Sequence, residues 1–319
     1  MKNKKVKLGV LVLAAVTVFT ATAFASTSTY NNGGYEALKQ IMKSSHETKH
    51  LSNTSFGGTF QMSDNGKIIA EMTGEVKENL EGKEANGNVK IKLMGKEQDL
   101  SFFKSGETSY LVDKTNAKYY QLVNMTKDTD EKHRAFDREE AMGEQHMGKT
   151  GEALMDYLMG DLKSQFELNQ NADGSKSITV DLNENEIPVP INLLVGIATE
   201  NNINHSNIDY EDGMDLAQKE LLMGKMPFLK EFSELGKNMP KLKQDVKLTG
   251  ILLKLNVDGN DQIKSFDVKI STTGIDSKGT YHEVSFSGSS SINDINNTSV
   301  DTFNPDGKNI ETIDAEDFN

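Results

Sequence analysis

Cysteine is absent from the 319-residue chain, and tryptophan is absent as well. Without thiols the protein has no disulfide, no thiolate metal site and no cysteine nucleophile. The diacylglycerol anchor of bacterial lipoproteins is attached to a cysteine, so this anchor is excluded too. Only five prolines occur, and no proline-rich or serine-rich linker divides the chain. A chain of this length without disulfides must draw its stability from a hydrophobic core.

Basic residues are in deficit: 35 Lys and Arg stand against 48 Asp and Glu, for a formal charge of −13. Removal of residues 1–25, which carry four lysines and no acidic residue, takes this charge to −17. Nucleic acids and anionic membrane surfaces bind proteins mainly through clustered Lys and Arg. The composition therefore excludes them as expected partners.

Long apolar runs are scarce, and the most prominent one extends from Leu8 to Phe19. Four lysines precede it, and the small-residue stretch Ala21-Thr22-Ala23-Phe24-Ala25 follows. This is the order of a secretory signal peptide, and the run is shorter than the roughly 20 residues of a membrane-spanning helix. We expect residues 1–25 to be a signal peptide and the protein to be extracellular or at the cell surface. Attachment to the membrane would require that the signal stays uncleaved.

Alternation of apolar and polar residues is the dominant pattern after the signal, as in Ile178, Val180 and Leu182. This period of two is typical of strands with one buried face, and turn sequences such as Asn65-Gly66 favour hairpins between them. The pattern predicts hairpins over residues 56–78, 89–104, 108–124, 166–182, 246–271 and 280–300.

Segments with the periodicity of an amphipathic helix lie before and between these strand segments. This periodicity predicts helices over residues 34–44, 132–166, 191–199 and 213–235, the last interrupted near Met226-Pro227. We therefore predict a single α+β domain over residues 26–305, followed by an acidic C-terminal tail over residues 306–319. Its expected architecture is a curved, mainly antiparallel sheet, with helices inserted between two groups of strands and packed on one face.

This order of elements, with a strand-turn-strand unit from Phe56 to Met72 around Asn65-Gly66, resembles the bacterial lipoprotein-carrier half-barrels of the LolA and LppX kind. The resemblance covers most of the chain after the signal and involves no sequence motif. It implies a curved sheet whose helices pack into the concave face around an apolar cavity that takes up acyl chains.

Residues His46-Glu47-Thr48-Lys49-His50 satisfy the H-E-x-x-H pattern. On a helix, His46 and His50 could ligate zinc while Glu47 acts as the base for a bound water. The neighbours are polar, with serines at 44, 45 and 52, and the sequence offers no convincing third ligand. We interpret the stretch as a solvated helix end, and a zinc metalloenzyme remains the minor alternative.

Residues Gly143 to Thr150 match the G-x-x-x-x-G-K-[ST] phosphate loop. Such a loop needs a buried strand before it, whereas the preceding segment is the acidic stretch over residues 137–142. Glu144 would also repel phosphate. We therefore expect no nucleotide and no other cofactor. Two further patterns, the S-x-x-K spacing of Ser101 and Lys104 and an incomplete EF-hand beginning at Asp181, are weaker still.

Methionines concentrate in the segments predicted to be helical. Flexible thioethers fill irregular core gaps, and they also line adaptable apolar binding surfaces. If they line a ligand site, its expected residues are Met155, Leu158, Met159 and Leu162. Copper capture is a third option, although Met223 and Met226 form the only tight Met-x-x-Met pair.

The sequence thus predicts a secreted or cell-surface bacterial protein without catalytic activity that binds a hydrophobic, lipid-like ligand. The alternative is a structural or interaction module of the cell envelope that binds another protein or the cell wall.

Overall fold

The computed structural model of the protein describes residues 33–47, 53–123, 160–189, 192, 216–230 and 240–314. Two α-helices and a short 3₁₀ helix accompany twelve strands in this part of the chain. The helices are α1 (Gly33–Glu47), the 3₁₀ helix (Gly160–Gln165) and α2 (Leu216–Lys225). The first six strands are β1 (Asn53–Asp64), β2 (Lys67–Asn79), β3 (Glu84–Leu93), β4 (Lys96–Ser105), β5 (Thr108–Asp113) and β6 (Lys118–Val123). The others are β7 (Glu167–Gln170), β8 (Lys176–Asn183), β9 (Leu242–Val257), β10 (Ile263–Asp276), β11 (Tyr281–Asn293) and β12 (Ile310–Asp314).

All twelve strands form one curved, open sheet in the order β12-β6-β5-β4-β3-β2-β1-β11-β10-β9-β8-β7. Neighbouring strands are antiparallel except β12 and β6, which run parallel. The pairing of β1 with β11 joins an N-terminal group of strands to a C-terminal group. The 3₁₀ helix lies in sequence between these groups, and α2 is inserted between β8 and β9 of the C-terminal group. The predicted α+β class, with a mainly antiparallel sheet and inserted helices, is therefore confirmed.

Tight turns set the register of the N-terminal meander. Asn65 and Gly66 have φ angles of 49° and 75°, and Met94 and Gly95 have φ angles of 46° and 88°. Two consecutive positive φ angles are what a two-residue hairpin turn requires. Five of the six predicted hairpins are present.

The predicted interruption of the last helix near Met226-Pro227 is also seen. Helix α2 ends at Lys225, and residues 227–230 form a further helical turn.

The predicted hairpin over residues 280–300 is wrong. Residues 281–293 form the single strand β11, which pairs with β10 on one side and β1 on the other. Positive φ angles at Asp294 and Asn296 then turn the chain out of the sheet, and Asn296 N donates to Asn53 O. The polar residues after Asn293 lack the alternation that would form a returning strand.

The chain then crosses the sheet as an extended segment, here named the C-terminal strap (residues 298–309). Asp301 accepts hydrogen bonds from Lys77 Nζ at 3.0 Å and Asn86 Nδ2 at 3.2 Å. Phe303 packs on aromatic rings of β4, β5 and β6, and the strap ends in β12 beside β6. The segment predicted as a tail from residue 306 therefore contributes a strand, and Ile313 is fully buried.

Helices α1 and α2 pack on the same side of the sheet, here named the inner face. Tyr35, Ala37 and Ile41 of α1 contact apolar side chains of β8 and β9, together with Leu162 and Phe166. Gly34 allows this close approach, because its N donates to Phe166 O at 3.2 Å and an added Cβ would lie 2.5 Å from that oxygen.

The opposite end of the inner face is covered by α2 and the turn after it. Leu222, Met226 and Phe228 pack on apolar residues of β3, β4, β5, β6 and β12. Tyr120 is fully buried there and donates its hydroxyl proton to Lys225 O at 3.0 Å. Burial, with the nearby charges of Asp113 and Glu311, raises the pKa of Tyr120 to about 12, so the hydroxyl stays a donor.

The other side of the sheet, here named the outer face, is polar at its centre. Serines alternate along β11 at positions 285, 287, 289 and 291. Their hydroxyls reach β1, where Thr59 and Ser289 lie 2.6 Å apart and Ser63 and Ser285 lie 2.7 Å apart. Cross-strand hydroxyl pairs of this kind support sheet register without an apolar cover. None of the described helices is long and apolar enough to cross a membrane.

Candidate functional site

Apolar side chains form two parallel rows across the four central strands of the inner face. In one row Ile270 pairs with Phe286, which pairs with Met62, which pairs with Ala70. In the other, Val268 pairs with Gly288, Gly288 with Phe60, and Phe60 with Met72. These eight residues of β10, β11, β1 and β2 are here named the central strip.

Ile270 and Phe286 of the central strip are more exposed than the two ends of the same face, whereas Met62 and Ala70 of the strip are buried. Ile270 is 39% exposed and Phe286 is 37% exposed, whereas Val180 at the α1 end is 4% exposed and Leu100 at the α2 end is 2% exposed. Phe286 is also next to Phe60, with ring centroids 6.1 Å apart. The strip therefore presents an aromatic and aliphatic surface between two closely packed helix clusters.

Glycines lie within and beside this strip. Gly288 lies between Val268 and Phe60 in the second row, and the glycines at 58 and 74 face each other on β1 and β2 on the same side. A glycine adds no side chain to the face, so the neighbouring Phe60 and Phe286 rings form the apolar walls of the strip. Apolar walls with little polar intrusion suit an elongated hydrophobic guest.

One end of the central strip is bordered by the imidazole of His282 of β11 and two carboxylates. Its Nδ1 lies 2.9 Å from Asp64 Oδ2, and its Nε2 lies 3.5 Å from Asp276 Oδ2. The imidazole is only 13% exposed. The three side chains connect the ends of β1, β10 and β11 and hold the strand ends that carry the strip.

Asp276 also organises the turn between β10 and β11. Thr280 N and Lys278 N each donate to Asp276 Oδ1 at 2.8 Å. These backbone donors, the Thr280 bond first, and the imidazole of His282 lower the pKa of Asp276 below its usual 3.8, against an opposing effect of burial.

We expect Asp276→Asn to lose a pH-dependent part of the stability. Because the pKa of Asp276 is lower in the folded state than in the unfolded chain, its ionisation stabilises the folded state at pH values above 3.8. This contribution is lost as the pH falls through the folded-state pKa. The unfolding free energies of the wild type and Asp276→Asn should therefore approach each other below pH 3.8. Urea titrations over a pH series measure the difference. A gap that stays constant down to the acid limit would contradict this role.

Of the four residues predicted to line a ligand site, the structure describes Leu162. Leu162 is 5% exposed and packs in the cluster beneath α1. Met155, Leu158 and Met159 lie outside the described residues, so this prediction is not tested. Met226 of the Met-x-x-Met pair is 4% exposed and packs in the α2 cluster.

The motifs with chemical interpretations lie only partly within the described residues. Helix α1 ends at Glu47, and His50 lies outside the described residues, as does the phosphate-loop match over residues 143–150. Within the described ranges, no group of three or more His, Asp or Glu side chains is arranged to hold a metal ion. Ser101 donates to Asn88 Oδ1. In the EF-hand-like loop, Glu186 accepts from Asn183 N at 2.9 Å.

Val268 and Ile270 lie in the predicted hairpin over residues 246–271. The sequence did not predict Phe286 or Phe60 as site residues. The signal for Phe286 was present in the alternation of Val284, Phe286 and Gly288 with serines. Which strands would lie beside β11 was not evident, because its partner β1 is more than 200 residues away in the sequence.

The chain matches no protein-family model, and no curated protein matches it. Among solved structures, it is similar to the crystal structure of a DUF1329 family protein from Desulfovibrio piger ATCC 29098. The two sequences are 6% identical, the match covers 85% of this chain and 94% of that chain, and the TM-score is 0.20. A TM-score this low supports no conclusion about shared function.

Proposed function

We propose that the protein is a secreted or cell-surface binding protein that holds a hydrophobic, lipid-like ligand on the central strip and catalyses no reaction. The observation that carries the proposal is the exposure of Ile270 and Phe286 in the middle of an otherwise packed apolar face. The likeness to lipoprotein-carrier half-barrels, which comes from the order of elements, agrees with it.

The strip leaves apolar side chains that the described helices do not cover, notably Ile270 and Phe286. Burial of apolar surface stabilises a complex by about 25 cal/mol per Å². An acyl chain lying along Phe286, Ile270 and Phe60 would cover side chains of the kind that binding sites use as walls. Met72, which is half-buried in the same strip, adds a thioether, and thioethers adapt to guests of varied shape.

The face offers hydrophobic contact and little polar chemistry. The charged group nearest to the strip, His282 with Asp64 and Asp276, is committed to contacts among its own members. A ligand would therefore be recognised by its apolar chain, with the polar end directed toward the rim. This arrangement suits transport or storage of lipid better than hydrolysis of it.

The absence of tryptophan from the chain allows a site-specific fluorescence test. In Phe286→Trp the new indole lies in the central strip, whereas in Ser287→Trp it lies one residue along β11 on the outer face. Addition of palmitate below its micelle concentration should give a saturable blue shift in Phe286→Trp and none in Ser287→Trp. A second variant, Phe286→Trp/Ile270→Asp, should bind palmitate at least about tenfold more weakly, because a carboxylate in the strip opposes the acyl chain.

Two outcomes would overturn the proposal. One is an equal fluorescence response of the two tryptophan variants, which would indicate nonspecific surface binding. The other is the absence of any response in Phe286→Trp while its circular dichroism and unfolding midpoint match those of Ser287→Trp. Native mass spectrometry of protein purified from its own host gives an independent measurement, in which a bound lipid is the expected result.

A further inference from the structure

The outer face carries a second concave surface, far from the central strip and formed by different strands. It is a half-open pocket of about 190 Å³ between the C-terminal strap and the ends of β3, β4 and β5. A water molecule occupies about 30 Å³ in the liquid, so the pocket has room for a guest equivalent to about six waters. Larger drug-like ligands need pockets of about 300 Å³ or more.

The floor of this pocket is aromatic. Phe103 of β4, Tyr110 of β5 and Phe303 of the strap line it together. The Phe303 ring is 5.5 Å from that of Phe103 and 5.0 Å from that of Tyr110, measured between centroids. These contacts fix the rings before any ligand arrives, so a flat apolar face could stack on them at little conformational cost.

The rim of the pocket is polar. Glu84 and Asp301 contribute carboxylates, and the Asp301 carboxylate is paired with Lys77 Nζ at 3.0 Å. Hydroxyl groups at positions 105, 108 and 302 complete the rim. The Lys77 amine offsets the charge of the Asp301 carboxylate, and the hydroxyl groups of the rim are uncharged. They do provide both donors and acceptors for hydrogen bonds.

We propose that this pocket binds a single pyranose ring of an uncharged sugar. A pyranose ring has an apolar C–H face that stacks on aromatic side chains, and hydroxyls around its edge that both donate and accept hydrogen bonds. Phe103, Tyr110 and Phe303 match the face, while Glu84 and Thr108 match the edge. An acyl chain would leave the polar rim without partners, which is unfavourable.

The sugar could be a free monosaccharide or one unit of a glycan, such as a wall polysaccharide. Both present the same ring chemistry, and the pocket is open on one side, so a chain could continue beyond it. The proposal is independent of the lipid site, because the two surfaces lie on opposite faces of the sheet.

The test is a titration of the isotope-labelled protein with glucose, N-acetylglucosamine and the N-acetylglucosamine tetramer, followed by amide chemical shifts. At least one of the two monosaccharides should change the amide chemical shifts of Tyr110, Thr108 and Phe303, with a Kd of about 1 mM. Tighter binding of the tetramer indicates a glycan chain, and equal binding indicates a free sugar. Glu84→Ala and Thr108→Val should each weaken binding about fivefold, as expected for one lost hydrogen bond.

Thr73→Val is the matched control, since Thr73 is an exposed threonine of β2 outside the pocket lining. It should leave the Kd unchanged. The proposal is overturned if saturating sugar shifts none of the pocket amides, or if tetramethylammonium chloride shifts them and sugar does not. Equal loss of affinity in Thr73→Val and Thr108→Val, with both variants folded, would also overturn it.

Discussion

Replacement of Asp113 by alanine should lower the free energy of unfolding by about 3–5 kcal/mol. Asp113 ends β5 and is fully buried, yet it carries a carboxylate. It accepts hydrogen bonds from Gln98 Nε2 at 2.6 Å, Asn116 N at 2.9 Å and Asn116 Nδ2 at 2.8 Å. Alanine would leave the buried Gln98 amide without its acceptor and release the turn between β5 and β6.

Urea denaturation followed by circular dichroism measures this loss, and Asn116→Ala is the control within the same network. Asn116 is exposed, so its replacement should cost only about 1 kcal/mol. The double variant Asp113→Ala/Gln98→Leu should recover part of the loss, because it removes the unsatisfied donor together with its acceptor. A double variant less stable than either single one would show that the hydrogen bond is not the main effect.

A second readout comes from Tyr120, which pairs with Leu111, two residues before Asp113 on the neighbouring strand. The Asp113 carboxylate contributes, after burial, to the raised pKa of Tyr120 of about 12. In Asp113→Asn the negative charge is gone, so the Tyr120 pKa should fall. Absorbance titration of tyrosinate reports this change separately from the overall stability.

Much of the sheet was predictable because local patterns determine it. Alternation in β8, β9 and β10 placed Ile178, Leu255 and Phe266 on one face, and all three lie in the cluster that contacts α1. Asn65-Gly66 predicted a tight turn for a conformational reason that needs no tertiary information. Where neighbours in the sheet are also neighbours in the chain, the sequence pattern was sufficient.

The strap could not be predicted in this way. Its position depends on contacts such as Lys77 with Asp301, which are 224 residues apart. The residues between Asn293 and Ile310 follow neither the strand period nor the helix period, so nothing local distinguishes them from a solvated tail. The parallel pairing of β12 with β6 follows from the path of the strap across the outer face.

The candidate site was predictable in kind, but none of the four predicted lining residues belongs to the central strip. The sequence favoured an apolar surface on one face of a curved sheet, and the central strip is such a surface. Its exposed members Phe286 and Ile270 come together only because β10 and β11 pair in this register. The prediction instead chose residues in a helical segment, where methionine and leucine spacing gave the stronger local signal. Leu162, the member of that set with a described position, packs in the core beneath α1.

Phe303 is the residue whose loss should affect the strap most, and Phe303→Ala should destabilise the protein by about 2–4 kcal/mol. The ring packs on Phe103, Tyr110 and Tyr119, with centroids 5.5, 5.0 and 6.0 Å away. Truncation to alanine would leave three rings of the outer face without their cover. It would also weaken the path that leads to β12.

The control is Phe303→Leu, which retains most of the apolar contact and should cost about 1 kcal/mol. Amide hydrogen exchange distinguishes a local effect from a global one. If the strap holds β12 on the sheet, exchange in residues 310–314 should accelerate more in Phe303→Ala than exchange in β2 and β3 does. Uniform acceleration of amide exchange in all strands would mean that Phe303 contributes to general packing only. In that case Ile313 and the backbone hydrogen bonds to β6 retain β12 without help from the strap.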